Sequence, residues 1–279
     1  MNLMTSSLIL TKEKDVLEVF NDLFILFTGL CLGSFFNMLI YRLPLKISLL
    51  NPKRSICPHC NATLFWYENI PLFSYIFLKG KCSKCNTSIS ISYFIVEIIT
   101  AVITFLLYKK IGLNNEFFLL AMICYILIIL SVIDLKYKAV PDYLLVLLIS
   151  VTLIYLLLFK IQNFNSFFIF TGAIVIIELY VTYYIQNIKS YILKDKTLQL
   201  QKAIGEGDIP IIALIGGVLG LKFGLVAIFL SAIFAIIPAI VNKMSKQEIE
   251  TPFIPYLSLG FFLTLMGEEY IEIILKGLM

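Results

Sequence analysis

The sequence predicts an all-α, polytopic membrane protein of about eight transmembrane helices, with one small insertion after the first of them. Three observations predict it. Mean hydropathy is +0.95, and 60% of the 279 residues are hydrophobic. Charged residues make up only 14%, where a soluble domain carries about 25%. The apolar residues also come in unbroken runs close to the roughly 20 residues that a bilayer crossing needs. This balance excludes a soluble globule, a disordered chain, a collagen and a disulfide-stapled mini-protein. The net charge of +4 gathers into no basic stripe, so nucleic-acid binding has no support.

Residues 1–22 read as a polar-to-amphipathic N-terminal extension. They do not read as a cleaved signal peptide, because Lys12, Glu13, Lys14 and Asp15 follow the short apolar patch and no small-residue cleavage site is visible. Residues 23–41, free of charge, are the first transmembrane helix. Residues 42–88 form the only sizeable extramembrane segment, and residues 89–279 a membrane domain. Within that domain Ile89–Tyr108 holds one charge, Glu97. Phe117–Ile133 and Tyr143–Phe159 hold none, and Ser166–Ile185 holds Glu178. Ile209–Val241 is a 33-residue run interrupted only by Lys222. As one helix it would reach about 50 Å, well past a 30 Å core, so two spans joined near Leu221–Lys222 are expected. A last span starts near Phe253 and runs into Glu268–Lys276. The total is eight, or seven if the long run is continuous.

With the N-terminus outside and eight alternating spans, 15 of the 22 lysines and arginines fall inside and 7 outside. The positive-inside rule favours that orientation. It places the 42–88 loop in the cytoplasm, and at 47 residues that loop is marginal for folding without a staple.

The staple is visible as Cys57-Pro-His-Cys60, then twenty-one residues, then Cys82-Ser-Lys-Cys85. Paired C-x-x-C knuckles at this separation signal a tetrahedral zinc ribbon, and four thiolates make a closed, structural site. A disulfide is disfavoured on a reducing cytoplasmic face. His59 lies between the first two cysteines, but four cysteines suffice. Cys31 and Cys124 sit in apolar helices and read as packing residues.

His59 is the only histidine, so triads built on a free imidazole are disfavoured and any hydrolytic chemistry falls to carboxylates. Asp134 closes the third span and Asp208 opens the sixth, in Gly205-Glu-Gly-Asp208-Ile-Pro210. Singly they have ordinary readings. Asp208 would be a helix cap, and Asp134 an interfacial charge facing Lys136 and Lys138. Together they suggest more, since ionisable groups near membrane depth are costly and usually functional. Two close carboxylates share a proton, leaving one as acid and one as base. Gly205 and Gly207 are expected to permit unusual backbone angles and close approach of a substrate chain. Asp142, after Pro141, reads as a cap. Glu97 lies mid-span and is expected to face a polar partner inside the bundle, and Trp66 reads as an interface residue.

These motifs together resemble the type IV prepilin peptidase family, the polytopic GxGD aspartyl proteases that act as leader peptidase/N-methyltransferases. Gly33-Ser-Phe-Phe-Asn-Met-Leu-Ile-Tyr-Arg-Leu-Pro44 looks like its first-span motif. Arg54–Cys60, Trp66–Pro71 and Gly80–Cys85 look like its ribbon, and Tyr93-Phe-Ile-Val-Glu97 continues it. Ile133–Asp142 is similar to the segment holding the first catalytic aspartate, which would be Asp134 rather than Asp142. Gly205-Glu-Gly-Asp208 matches the GxGD box and would supply the second. Pro210 stands where many members have Lys, Ile254 replaces a glycine in Pro252-Phe-Ile-Pro255, and the N-terminal extension is long.

The resemblance implies a bacterial inner-membrane enzyme. Its substrates would be prepilin or pseudopilin precursors of a type IV pilus, type II secretion or DNA-uptake system. It would cut them after a Gly at the cytoplasmic face and methylate the new N-terminus with S-adenosylmethionine. No glycine-rich nucleotide fingerprint marks residues for that methyl donor. Two other classes fit the composition: an ion-coupled transporter using Glu97, Glu178 and Asp208, and a membrane scaffold whose ribbon binds a partner. Asp134 and Asp208 fall at helix ends rather than at the midplane, which disfavours transport.

Overall fold

A computed structural model describes residues 2–51, 54–57, 59–194, 196–200, 205–244 and 252–278. Lys53, Lys202 and Lys246, counted above among the inside charges, and Pro58 of the first knuckle lie outside the described residues. Ten α-helices and no strands are present among the described residues. Five helical stretches are long and apolar enough to cross a membrane: Leu17–Arg42, Asn115–Tyr137, Asp142–Phe159, Ile161–Leu193 and Asp208–Ile240. The chain divides into two compact units, Met1–Phe117 and Phe118–Met279.

In the first unit, α1 (Asn2–Arg42) carries the N-terminal extension and the first apolar run in one helix. α2 (Phe73–Phe77) is a single turn in the insertion, and α3 is Ser92–Ile111. α1 and α3 run antiparallel, as the paired residues show. Asp22 meets Lys109 in a 2.7 Å ion pair. A Cβ on Gly29 would lie 2.6 Å from the Ala101 Cα, and one on Gly33 would lie 2.7 Å from the Glu97 Cα. Asn37 Nδ2 donates to the Tyr93 carbonyl at 2.9 Å. The backbones touch at Gly29 and Gly33 because neither carries a side chain there, a small-xxx-small crossing of the kind membrane helices use. At the end of α1, Arg42 is buried and donates to the carbonyls of Ser48, Leu49 and Arg54, gathering the start of the insertion around its guanidinium.

The second unit holds most of α4 (Asn115–Tyr137), then α5 (Asp142–Phe159) and α6 (Phe164–Tyr183). A π-turn over Tyr184–Lys189 leads into the short α7 (Ser190–Leu193). α8 (Asp208–Met244), α9 (Ile254–Met266) and α10 (Glu268–Leu278) complete it. α8 is the hub. Leu156 of α5 and Phe170 of α6 fill the space left by Gly217 and Gly216, and Ser231 packs against Gly260 of α9. The long helix is broken at Gly220, whose φ of 76° and ψ of −179° no other residue adopts without strain. The break lies one residue before the expected junction at Leu221–Lys222. A Cβ at Gly220 would meet the Asn163 side chain, and Glu272 of α10 lies within electrostatic reach of Lys222. The α5–α6 connection, the α8 break and α10 therefore cluster at one end of this unit.

Candidate active site and metal-binding cluster

Three helix ends converge at the other end of the second unit. Asp134 lies in the last turn of α4, Asp208 is the first residue of α8, and Ile254 is the first residue of α9. Both aspartates are 8% exposed. Asp208 lies close enough to Asp134 for their charges to interact. The Ile254 N–H donates to Asp134 Oδ2 at 3.3 Å, so the otherwise unsatisfied amide at the start of α9 holds a carboxylate oxygen. One turn before Asp134, the Ser131 hydroxyl donates to Ser258 Oγ at 2.9 Å, tying α4 to α9 just behind the site. The Asp208 N–H donates to the Gly205 carbonyl at 3.0 Å, closing a tight turn into α8.

The two glycines act through space, not through angle. Neither has a left-handed φ, contrary to the unusual angles expected of them. A Cβ on Gly207 would stand 2.8 Å from Val140 Cγ2 and 3.4 Å from Ile254 Cδ1, and one on Gly205 would stand 3.2 Å from Asp208 Oδ2. Only a bare backbone lets the α4–α5 turn, α8 and α9 close around the carboxylates. Asp142 is exposed in the first turn of α5, and Pro141 occupies the cap position expected of it. Glu178 is half-buried on α6. Ile254 and Ser131 were not singled out for this site. The serine could have been read from its position three residues before Asp134, which puts both on one helix face.

In the first unit the four cysteines meet. The Sγ atoms of Cys57, Cys60, Cys82 and Cys85 all lie within 4.8 Å of one another, and Cys57 and Cys85 are 3.9 Å apart. A tetrahedral ion bound at about 2.3 Å by four sulfurs has S–S edges of about 3.8 Å. The donor set therefore fits a metal ion. The two knuckles are built alike. Cys57 N–H donates to Ala62 O and Cys82 N–H to Thr87 O, while Asn61 N–H donates to Cys57 O and Asn86 N–H to Cys82 O. Asn61 and Asn86 take the left-handed conformation, φ 55° and 57°, which asparagine tolerates better than most residues. An Asn directly after each C-x-x-C was a legible sign of this turn. Cys57 and Cys82 are buried, while Cys60, Cys85 and His59 are exposed. Hydrogen bonding to Thr87 pushes the Cys85 thiol down to about 6. The Ala62 N–H favours the Cys60 thiolate, but burial and its three thiol neighbours hold it up at about 11.

Glu97 is buried between α1 and α3, and its Oε2 accepts the Leu72 N–H at 2.8 Å. It thereby holds the residue before α2, which has a strained φ of 60°. The polar partner expected for Glu97 is thus a backbone amide of the insertion.

Comparison with known proteins agrees with this architecture. Residues 27–111 match the Bacterial Peptidase A24 N-terminal domain, and residues 121–240 match the Type IV leader peptidase family. A prepilin leader peptidase/N-methyltransferase of Vibrio cholerae is 36% identical over 216 residues, covering 75% of this chain and 81% of that protein. The chain belongs to the type IV prepilin peptidase family. A family member from Bacillus subtilis is 29% identical over 260 residues, covering 89% of this chain and 95% of its own. An Escherichia coli type 4 prepilin-like proteins leader peptide-processing enzyme is 32% identical over 259 residues, covering 85% and 90%. No solved structure matches. The family's N-terminal match covers α1 from residue 27 onward, the cysteine cluster and α3, and its peptidase match spans both aspartates.

Proposed function

We propose that this chain is a multi-pass membrane aspartyl prepilin peptidase in which Asp134 and Asp208 are the catalytic pair. The observation that carries the residue assignment is the meeting of two buried carboxylates at helix ends, with a backbone amide on one of them. One carboxylate takes a proton from water as its oxygen attacks the carbonyl carbon of the leader's terminal Gly. The other gives a proton to the departing amine as the C–N bond breaks. The pair titrates as a unit, and the roles belong to the pair. Gly207 and the Pro252–Pro255 turn hold the helix ends close, and Ser131 and Ser258 position them. The substrates are prepilin-type precursors, whose basic leader meets the enzyme at the cytoplasmic face. N-methylation of the new N-terminus accompanies cleavage, with S-adenosylmethionine as the methyl source.

Eight crossings with the N-terminus outside is the topology we favour. The charge count supports it, as does the clustering of Asn163, Gly220 and Glu272 at the end of the second unit away from the aspartates. In this topology 42–88 is a cytoplasmic ribbon, and its four cysteines hold a structural zinc ion.

The test is cleavage of a prepilin by the purified full chain in detergent. Asp134→Asn and Asp208→Asn should each abolish cleavage with zinc content and melting unchanged, and Asp142→Asn should cleave normally. Cleavage retained by either of the first two variants would remove the assignment. Mass spectrometry of the mature product, with donor supplied, reads the added methyl.

A further inference from the structure

The segment between the two knuckles was not absorbed by the site. It runs from Phe65 through a 3-10 turn, Trp66–Asn69, to α2. Trp66 and Phe77 are 76% and 79% exposed, and Phe73, Ile76 and Tyr67 are more than half exposed. Five large apolar side chains on thirteen residues are more than an aqueous loop surface carries singly.

The contacts of this segment set its level along the helices. Asn69 O accepts the Ser34 hydroxyl at 3.5 Å, Leu72 N–H reaches Glu97, and the Tyr75 ring lies on Phe94 with centroids 5.4 Å apart. Ser34 is eight residues before the end of α1 at Arg42, and Glu97 is five residues past the start of α3 at Ser92. At 1.5 Å per residue these anchors lie about 12 Å and 8 Å below the helix ends. The insertion thus folds back along the helix pair instead of standing above it. Ser34 falls within the uncharged Leu23–Tyr41 run, so the exposed aromatics lie level with a stretch that reads as membrane-embedded. Interfacial elements bury about 5–10 Å into the headgroup–acyl boundary, and Trp and Tyr favour that layer. Exposed Lys79, Lys81 and Lys84 follow directly, where anionic headgroups would meet them.

We propose that residues 65–77 are an interfacial wedge, with Trp66, Phe73, Ile76 and Phe77 inserted into the lipid headgroup–acyl boundary beside the α1–α3 pair. Its occupant is the bilayer itself. The ribbon then lies against the membrane surface, tethered by its own middle as well as by its two ends. This inference depends on the chain crossing a membrane and not on its chemistry.

Trp66 is the only tryptophan in the chain, so its fluorescence reports this segment alone. The full chain is reconstituted into phosphatidylcholine/phosphatidylglycerol vesicles containing brominated phosphatidylcholine, with the bromines placed either near the headgroup or near the chain end. Trp66 should be quenched by the shallow bromines roughly twofold or more over the deep ones, with blue-shifted emission and poor access to iodide. Water-like emission with free iodide quenching would overturn the proposal. Blue-shifted emission that no bromolipid quenches would overturn it too, and would mean that protein, such as a second copy, covers Trp66. A Phe73→Ser/Phe77→Ser variant should raise iodide access while zinc content stays at the wild-type level. Unchanged bromolipid quenching in that variant would show that the wedge residues do not hold Trp66 in the lipid, and would refute the wedge.

Discussion

Replacing Gly207 by alanine tests the geometry of the aspartate pair without touching either carboxylate. The new methyl would stand 2.8 Å from Val140 Cγ2, 3.4 Å from Ile254 Cδ1 and 3.8 Å from Leu145 Cδ1. Carbon atoms pack best at about 3.5–4.0 Å, so Val140 and Ile254 must move apart by several tenths of an ångström. Overpacking of this kind costs about 1–3 kcal/mol. The Ile254 N–H already reaches Asp134 at 3.3 Å, at the long end of hydrogen-bonding distance, and a small outward shift breaks it. A hydrogen bond to a charged group is worth about 1.5–3 kcal/mol, which is about 10- to 150-fold in rate. Gly207→Ala should therefore lose about that factor in kcat/KM for prepilin cleavage and melt only slightly below wild type. Adding Val140→Ala removes the Cγ2 that the new methyl strikes, and the double variant should regain most of the loss. Wild-type kcat/KM in Gly207→Ala, or no rescue in the double variant, would refute the reasoning.

Three further outcomes are expected. Glu97→Ala leaves the Leu72 amide without its buried acceptor and should cost about 1–3 kcal/mol. Hydrogen exchange should then speed up at residues 70–78 more than in α3, and Glu97→Gln should retain most of the protection. Gly33→Ala drives a methyl into the Glu97 backbone, 2.7 Å away, and should destabilise the α1–α3 pair by about 1–3 kcal/mol in a denaturant series, whereas Gly172→Ala, inside α6 and in open space, should cause no loss of stability. In metal-stripped protein, hydrogen bonding to Thr87 lowers the Cys85 thiol, while its thiol neighbours hold the Cys60 thiol up, so Cys85 carries the larger share of thiolate. Alkylation followed by mass spectrometry should label Cys85 well before Cys60, and restored zinc should protect both.

What was legible in the sequence was local. Hydropathy marked the apolar runs, although among the described residues only five stretches meet the length and composition of a crossing. The excess length of Ile209–Val241 forced a break, and the glycine that makes it sat one residue from the expected place. The two C-x-x-C knuckles announced their own meeting, because each is a self-contained turn. The meeting of Asp134 and Asp208 was suggested by chemistry, since both lie at helix ends, but their closeness depends on packing across distant residues. The unread features share that cause. Leu72 reaching Glu97 and Ile254 reaching Asp134 are backbone groups, and a backbone amide carries no letter in the sequence. The Gly29/Gly33 crossing did have a pattern, but its partner surface on α3 lies about seventy residues away and left no local mark.

The position of the cysteine cluster between α1 and α3 also bears on how the protein is made. All four sulfurs of the cluster, from Cys57 to Cys85, precede the first residue of α3 at Ser92. The ribosome therefore completes the ribbon before it completes the helix that pairs with α1. Chains fold from the N-terminus as they emerge, and a site of this kind closes when metal arrives. On the proposed metal site, closure would hold the ends of α1 and α3 nearest to the ribbon on one side of the membrane, and the antiparallel pairing seen at Gly29 and Gly33 fits that arrangement.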